Sequence, residues 1–194
     1  FLGILLSIIF ITIGYFFGDY IISFQGATGQ VAQHASDYFY IMLCGTFFMI
    51  TSVFCRGILS GEGDNILPMK VLGFGTLINL ILDPILIYLY QIKGAALATV
   101  ISQIVVFIIF AYVMILKKRT YININLMNFC FNKIILSQIL KLGIPASLSM
   151  LIMSFGIFFY NTILSTTDHP VSSIAAYSTA HRIEHLFFIP IISI

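Results

Sequence analysis

PMKVLGFGTLINLILDPILIYLY, residues Pro68–Tyr90, decides the fold class. It is a largely apolar stretch that meets the roughly 20 residues a helix needs to cross a bilayer. Yet it carries Asn79 and Asp83 at i, i+4, which puts both side chains on one helical face, and Thr76 extends that face one turn earlier. An aspartate at the centre of a membrane helix costs roughly 2.5–3.5 kcal/mol, so Asp83 is expected to face a cavity or a partner helix rather than lipid. Pro84 follows it and has no backbone N–H, which leaves the carbonyl of Leu80 without its helical donor. Freed backbone of this kind is tolerated in a membrane only where protein, water or an ion satisfies it. A carboxylate, an amide and a loosened carbonyl converge on one side of one span. That is the outline of a cation or proton site, and Pro84 is where the helix is expected to bend.

Composition agrees with the class. Hydrophobic residues make up 60%, charged residues 8%, and mean hydropathy is +1.07. A soluble domain has about 25% charged residues, so the chain reads as an all-α, polytopic membrane protein whose surroundings are the lipid bilayer. The net charge of +2 marks out no nucleic-acid partner, because the basic residues sit mostly in or beside loops. Phe1 opens inside an apolar run with no initiator Met, basic n-region or small-residue cleavage site. It does not read as a signal peptide, and the chain is expected to be a segment of a longer protein.

Six spans are expected: Phe1 to about Ile22, Tyr38 to about Leu59, Pro68–Tyr90, Gly94 to about Leu116, about Ile139–Leu164, and one from near Ile174 still running at Ile194. Between them lie the polar Phe24–Ser36, the turn-rich GEGDN at Gly61–Asn65, the short Gln91–Lys93, the Asn-rich Thr120–Gln138, and STTDHPVSS at Ser165–Ser173. Arg56 and Lys70 flank GEGDN, and Lys117, Lys118, Arg119, Lys133 and Lys141 lie in or beside the next loop on the same side. The opposite side has only Lys93. The positive-inside rule therefore places the loops at 60–67 and 117–138 in the cytoplasm and Asp83 in the outer half of the membrane. Thr120–Gln138 reads as an interfacial linker.

The fourth span offers a partner for the Asp83 face. Gly94, Ala95, Ala96, Ala98, Thr99 and Ser102 cluster near its outer end, and small residues let helix backbones approach closely. Ala95 and Thr99 are i, i+4, as are Thr99 and Gln103. The Thr99 hydroxyl and the Ala95 carbonyl are expected near the depth of Asp83. Together these oxygens suit a hard cation such as Na⁺, or a hydrated proton-transfer site. The alternative is that Asn79, Asp83 and Thr99 only hold helices together.

Several stretches in order resemble the multidrug and toxic compound extrusion (MATE) transporters: CRGILSGEGDNILPMKV at Cys55–Val71, NLILDPILIY at Asn79–Tyr88 and KGAALATVISQ at Lys93–Gln103. LGIPASLS at Leu142–Ser149 and IAAYSTAHRIEHLFFIP at Ile174–Pro190 resemble the opening of that family's second half. The resemblance implies a segment covering helices three to eight of a twelve-helix, two-lobe transporter, without its first two and last four helices. Residues 1–118 would close the first lobe, 119–138 would be the cytoplasmic inter-lobe linker, and 139–194 would open the second lobe. The lobes would be related by an axis along the membrane normal, so no internal repeat is expected.

The resemblance also implies a cation or proton site at Asp83, Asn79, the carbonyl of Ala95 and Thr99, completed by a carboxylate on the family's first helix. The NorM-type branch carries a glutamate past the Gly-Ile-Pro motif. Ser147–Asn161 contains no acid, which points to the DinF-type or archaeal branch. The implied function is secondary multidrug efflux from the cell (plasma or inner) membrane, by a monomer that exchanges amphipathic or cationic organic compounds for Na⁺ or H⁺. The coupling ion takes the place of any cofactor. A lipid-linked oligosaccharide flippase of the same superfamily is the alternative within transport.

His181, Glu184 and His185 form H-x-x-E-H, a zinc-peptidase pattern, which raises a membrane zinc hydrolase as a reading from another class. The same string fits the transporters' eighth helix, and no distant third ligand stands out. The preferred reading has these residues, with Gln103, lining the cleft or gating it, with no metal and no enzymatic activity. Arg56 is expected to snorkel to the interface. Cys44, Cys55 and Cys130 make no disulfide framework, and GEGDN lacks the Lys of a phosphate-binding loop.

Overall fold

In a computed structural model, residues 2–26, 29–115, 133–167 and 169–192 are described. All of their regular structure is helical: α1 (Leu2–Phe24), α2 (Gly29–Gly61), α3 (Ile66–Tyr90), α4 (Ile92–Ile115), α5 (Lys133–Leu164) and α6 (Pro170–Ile192). Helices α1 to α5 are long and apolar enough to cross a membrane. α6 stands where the sixth span was expected, but its Ser, Thr and His residues with Arg182 and Glu184 keep it out of that group. The Lys117-Lys118-Arg119 run, Cys130 and the linker up to Asn132 lie outside the described residues, as does Asp168.

Three helices start earlier than hydropathy indicates. α2 begins at Gly29 rather than near Tyr38 and is 33 residues long, about 50 Å at about 1.5 Å per residue. That exceeds the about 30 Å hydrocarbon core, so a helix can continue through polar sequence beyond the apolar slab. Side-chain anchors hold this extension: Ser36 donates to Asp19 on α1 (2.9 Å), and Asp37 pairs with Lys93 at the start of α4 (3.0 Å). α5 takes in Lys133–Gln138, expected in the linker. α6 starts at Pro170, within the expected turn, because proline's missing N–H costs nothing at a first helical position.

The two tight joints follow from their residues. At GEGDN, Gly63 has φ 89°, its N–H donates to the Ser60 carbonyl, and Asp64 N–H reaches back to Leu59. This closes α2 with an αL glycine. The Asp64 carboxylate then accepts from Leu67 N–H (3.0 Å), capping the start of α3. Between α3 and α4 only Gln91 breaks the helix, at φ 53° and ψ −129°. α3 runs through Pro84 without ending.

The chain divides into two compact units, one holding α1–α4 and one holding α5 and α6. In the first, α4 packs against both α2 and α3, and α1 packs on α2. Glycines make the seams: Gly14 and Gly18 of α1 receive Leu43 and Phe39 of α2, and Gly75 of α3 receives Val106 of α4. Leu59, Val71, Val106 and Phe110 form the buried cluster. Most other large apolar side chains, such as Leu80, Ile81 and Tyr88, are exposed, as a lipid-facing surface requires. In the second unit, α5 buries no residue fully, and the helices meet through rings: Tyr160 stacks on Tyr177 with centroids 4.4 Å apart.

Candidate cation site and its cavity

A close approach of α4 to α3 positions the site. A Cβ on Gly94 would run into the carbonyl of Leu86, so α4 starts directly against α3. Facing pairs here have residue numbers totalling 180 (86 with 94) or 181 (75 with 106). This antiparallel register sets Asp83 against Leu97 or Ala98, between the turns that carry Ala95 and Thr99. Asn79, Thr99 and the Ala95 carbonyl are brought together, and Asp83 lies one turn along α3 from Asn79.

Side-chain contacts follow that register. Asn79 Nδ2 donates to Thr99 Oγ1 (3.5 Å), and Thr99 Oγ1 donates in turn to the Ala95 carbonyl (3.0 Å). All three residues, and Asp83, are half-buried. Asp83 Oδ1 is sealed from solvent and accepts no hydrogen bond. A buried polar oxygen without a donor is left unsatisfied. Asp83 as a residue is half-buried, while Pro84 next to it is exposed.

Adjoining this group is a cavity of about 310 Å³ between α2, α3 and α4. Asn79 and Thr99 line one end, with Thr76, Ser102 and Gln103 beside them; Ser52 and Arg56 of α2 lie further along. Gln103, expected in a cleft, lines this cavity, and its Oε1 is buried without a partner. Two contributors were missed from sequence: Ser52, and Arg56 as a lining residue rather than only a snorkelling one. The signal was present, since Met49, Ser52, Val53 and Arg56 follow i, i+3, i+4, i+7 on one face of α2.

In the second unit His181 Nδ1 lies 3.8 Å from Glu184 Oε2, and His181 lies parallel to Tyr177 with ring centroids 6.0 Å apart. The His181 and His185 rings are 6.4 Å apart. Among the described residues no three His, Cys, Asp or Glu side chains come together to hold a metal ion. The zinc-peptidase pattern thus finds a stacked aromatic row around it and no third ligand among those residues.

The MatE family profile matches residues 1–85. Over 183 residues the chain is 30% identical to the multidrug export protein MepA of Staphylococcus aureus (strain bovine RF122 / ET3-1), covering 93% of this chain and 40% of MepA. Its fold is similar to the inward-facing conformation of a multidrug resistance MATE family transporter of the MOP superfamily, with a TM-score of 0.92 and 34% identity over 98% of this chain and 43% of that one. The outward-facing conformation of such a transporter gives 0.86 at 34% identity, over 98% of this chain and 43% of that one. The chain spans about 40% of the length of the curated relatives it matches.

Proposed function

We propose that the chain, similar to MATE transporters in its profile match, its relatives and its fold, forms part of a MATE-family secondary antiporter that exports amphipathic organic cations in exchange for Na⁺ or H⁺. α1–α4 close the first lobe (residues 1–118), residues 119–138 link the lobes on the cytoplasmic side, and α5 and α6 open the second (139–194). The parent has twelve helices, acts as a monomer in the cell membrane, and carries out no covalent chemistry.

One observation supports the coupling assignment: a carboxylate oxygen of Asp83 buried without a donor, one turn along α3 from Asn79 with its link to Thr99 and the Ala95 carbonyl. In that setting a cation or proton arriving at Asp83 removes the penalty of the buried charge. Binding thereby shifts the packing of α3 against α4, and a conformational equilibrium follows the differential affinity of its states. The drug and the ion then compete for different states of one molecule.

The test is transport by the complete protein in vesicles under separate Na⁺ and pH gradients. Asp83→Asn is expected to abolish gradient-driven efflux, by at least about tenfold, with normal expression and folding. The gradient that drives the unaltered protein identifies the ion. Efflux at the normal rate by folded Asp83→Asn protein sinks the assignment.

A further inference from the structure

Beside the glycine seam of α1 and α2 lies a polar group whose charge is not compensated. Tyr15 and Asp19 are i, i+4 on α1, and Ser36 and Tyr40 are i, i+4 on α2, so each pair occupies one helical face. The four come together around the carboxylate. Ser36 Oγ donates to Asp19 Oδ1 (2.9 Å), and Tyr40 Oη donates to Asp19 Oδ2 (3.0 Å). The Tyr15 and Tyr40 rings meet edge to face, with centroids 6.2 Å apart and planes inclined by 69°. Tyr15 is 66% exposed and Asp19 is exposed, while Ser36 and Tyr40 are half-buried. The group shares no residue with the Asp83 neighbourhood or its cavity.

Two neutral hydroxyls orient the Asp19 carboxylate without cancelling its charge. Among the described residues no basic side chain pairs with it, and Lys93, the lysine expected on that side, is taken by Asp37 (3.0 Å). Asp19 lies five residues before the end of α1, about 8 Å at about 1.5 Å per residue. Under the positive-inside orientation that end is the outer one, so the carboxylate sits close to the outer membrane surface. Interfacial tyrosines are common by themselves; here one of them is fixed to an acid by its own hydroxyl. Each carboxylate oxygen keeps accepting capacity for a further partner. A ring attracts a cation within about 6 Å of its centroid, and a carboxylate beside two such rings suits a diffuse organic cation better than a compact, strongly hydrated ion.

We propose that Asp19, Tyr15 and Tyr40 form a peripheral binding site for amphipathic organic monocations at the outer end of the α1–α2 pair, with Ser36 positioning the carboxylate. The ligand class rests on the exporter reading above; the site does not depend on Asp83.

Equilibrium binding of radiolabelled tetraphenylphosphonium to the complete transporter in detergent tests it. Two classes of site are expected, one of them weakened at least about tenfold in Asp19→Asn and about threefold in Tyr15→Leu. An Asp19 that only joins helices lowers the unfolding midpoint in Asp19→Asn and Ser36→Ala alike and leaves binding unchanged, which overturns the proposal. So does a single class indifferent to both Asp19→Asn and Tyr15→Leu, the result if another helix of the complete protein covers the group. Because Tyr15 is exposed, Tyr15→Leu is read alone should Asp19→Asn fail to fold.

A lipid headgroup with a quaternary ammonium shares this chemistry. Nanodiscs of phosphatidylcholine and of uncharged digalactosyldiacylglycerol are expected to give the same binding by this class. Loss in phosphatidylcholine alone assigns the group to the headgroup and overturns the site for free cations. The failures are separable. If gradients drive no tetraphenylphosphonium out of vesicles, the exporter reading fails; if they do while binding ignores Asp19 and Tyr15, only this site fails.

Discussion

Two of the chain's helical hairpins, α3–α4 and α5–α6, solve one problem in different ways. α3 and α4 turn on a single residue, Gln91, and press backbone on backbone at Gly94 and Leu86. Ala96, Ala98, Val100 and Ser102 are all buried in that hairpin's α4. α5 and α6 are joined by a longer turn, bury no α5 residue fully, and touch through Tyr160 and Tyr177. In lipid there is no hydrophobic drive to bring helices together, so close van der Waals approach must supply the attraction. Small residues provide it in the first hairpin, ring stacking in the second. Asp83, with one carboxylate oxygen sealed from solvent, is in the first hairpin.

That contrast breaks most sharply at glycine. In Gly94→Leu the new side chain meets the Leu86 carbonyl, and a backbone atom cannot swing aside as a flexible side chain can. Overpacking of this kind costs about 1–3 kcal/mol and sometimes more, and here the upper end or beyond is expected. Gly156 in α5 has no described residue within 4 Å of its Cβ position, so Gly156→Leu is expected to meet no clash with α6. Thermal unfolding of the complete transporter in detergent compares the pair. Equal loss in both variants would show that the two hairpins are packed alike.

The difference between the hairpins was partly legible in the sequence. Gly94, Ala95, Ala96, Ala98, Thr99 and Ser102 announce a close interface, and the i, i+4 spacing of Asn79 and Asp83 places the site on one face. The six helices could be placed because the membrane demands long apolar runs. Their polar ends could not, since hydropathy reports where lipid stops and not where hydrogen-bonded turns stop. Hydropathy therefore assigns Phe24–Ser36 to a loop, although α2 already runs from Gly29 and Ser36 is tied to Asp19 of α1. Ser52 went unnoticed for a related reason. A serine in a span is ordinarily satisfied by its own helix, and only coordinates reveal the one that is not.

A smaller effect is expected from the rings that join the second hairpin. Tyr160 and Tyr177 lie 4.4 Å apart with planes inclined by 25°, and such pairs contribute about 0.5–1.5 kcal/mol beyond their buried area. Tyr177→Leu and Tyr160→Leu, singly and together, form a double-mutant cycle in which the coupling should fall in that range. A coupling of zero would mean that the stack does not join α5 to α6. The zinc-dependent reading of His181, Glu184 and His185 makes a separate demand on the same protein, stoichiometric metal after purification, and none is expected.

The smallest effect belongs to the outer end of the first hairpin, where Lys93 and Asp37 pair at 3.0 Å with side chains 53% and 32% exposed. Ion pairs this wet are worth about 0.2–1 kcal/mol, because water screens them and ordering two side chains costs entropy. Asp37→Ala is therefore expected to lower the unfolding midpoint only slightly, and the difference from the unaltered protein should shrink as salt rises. Asp19, by contrast, accepts hydrogen bonds from Ser36 (2.9 Å) and Tyr40 (3.0 Å), and holds the same stretch of α2 from the other side. If Asp37→Ala proved as damaging as Gly94→Leu, the extension of α2 would depend on its pairing with α4. With only a minor loss, the helix extends mainly through its own backbone and its contact with α1.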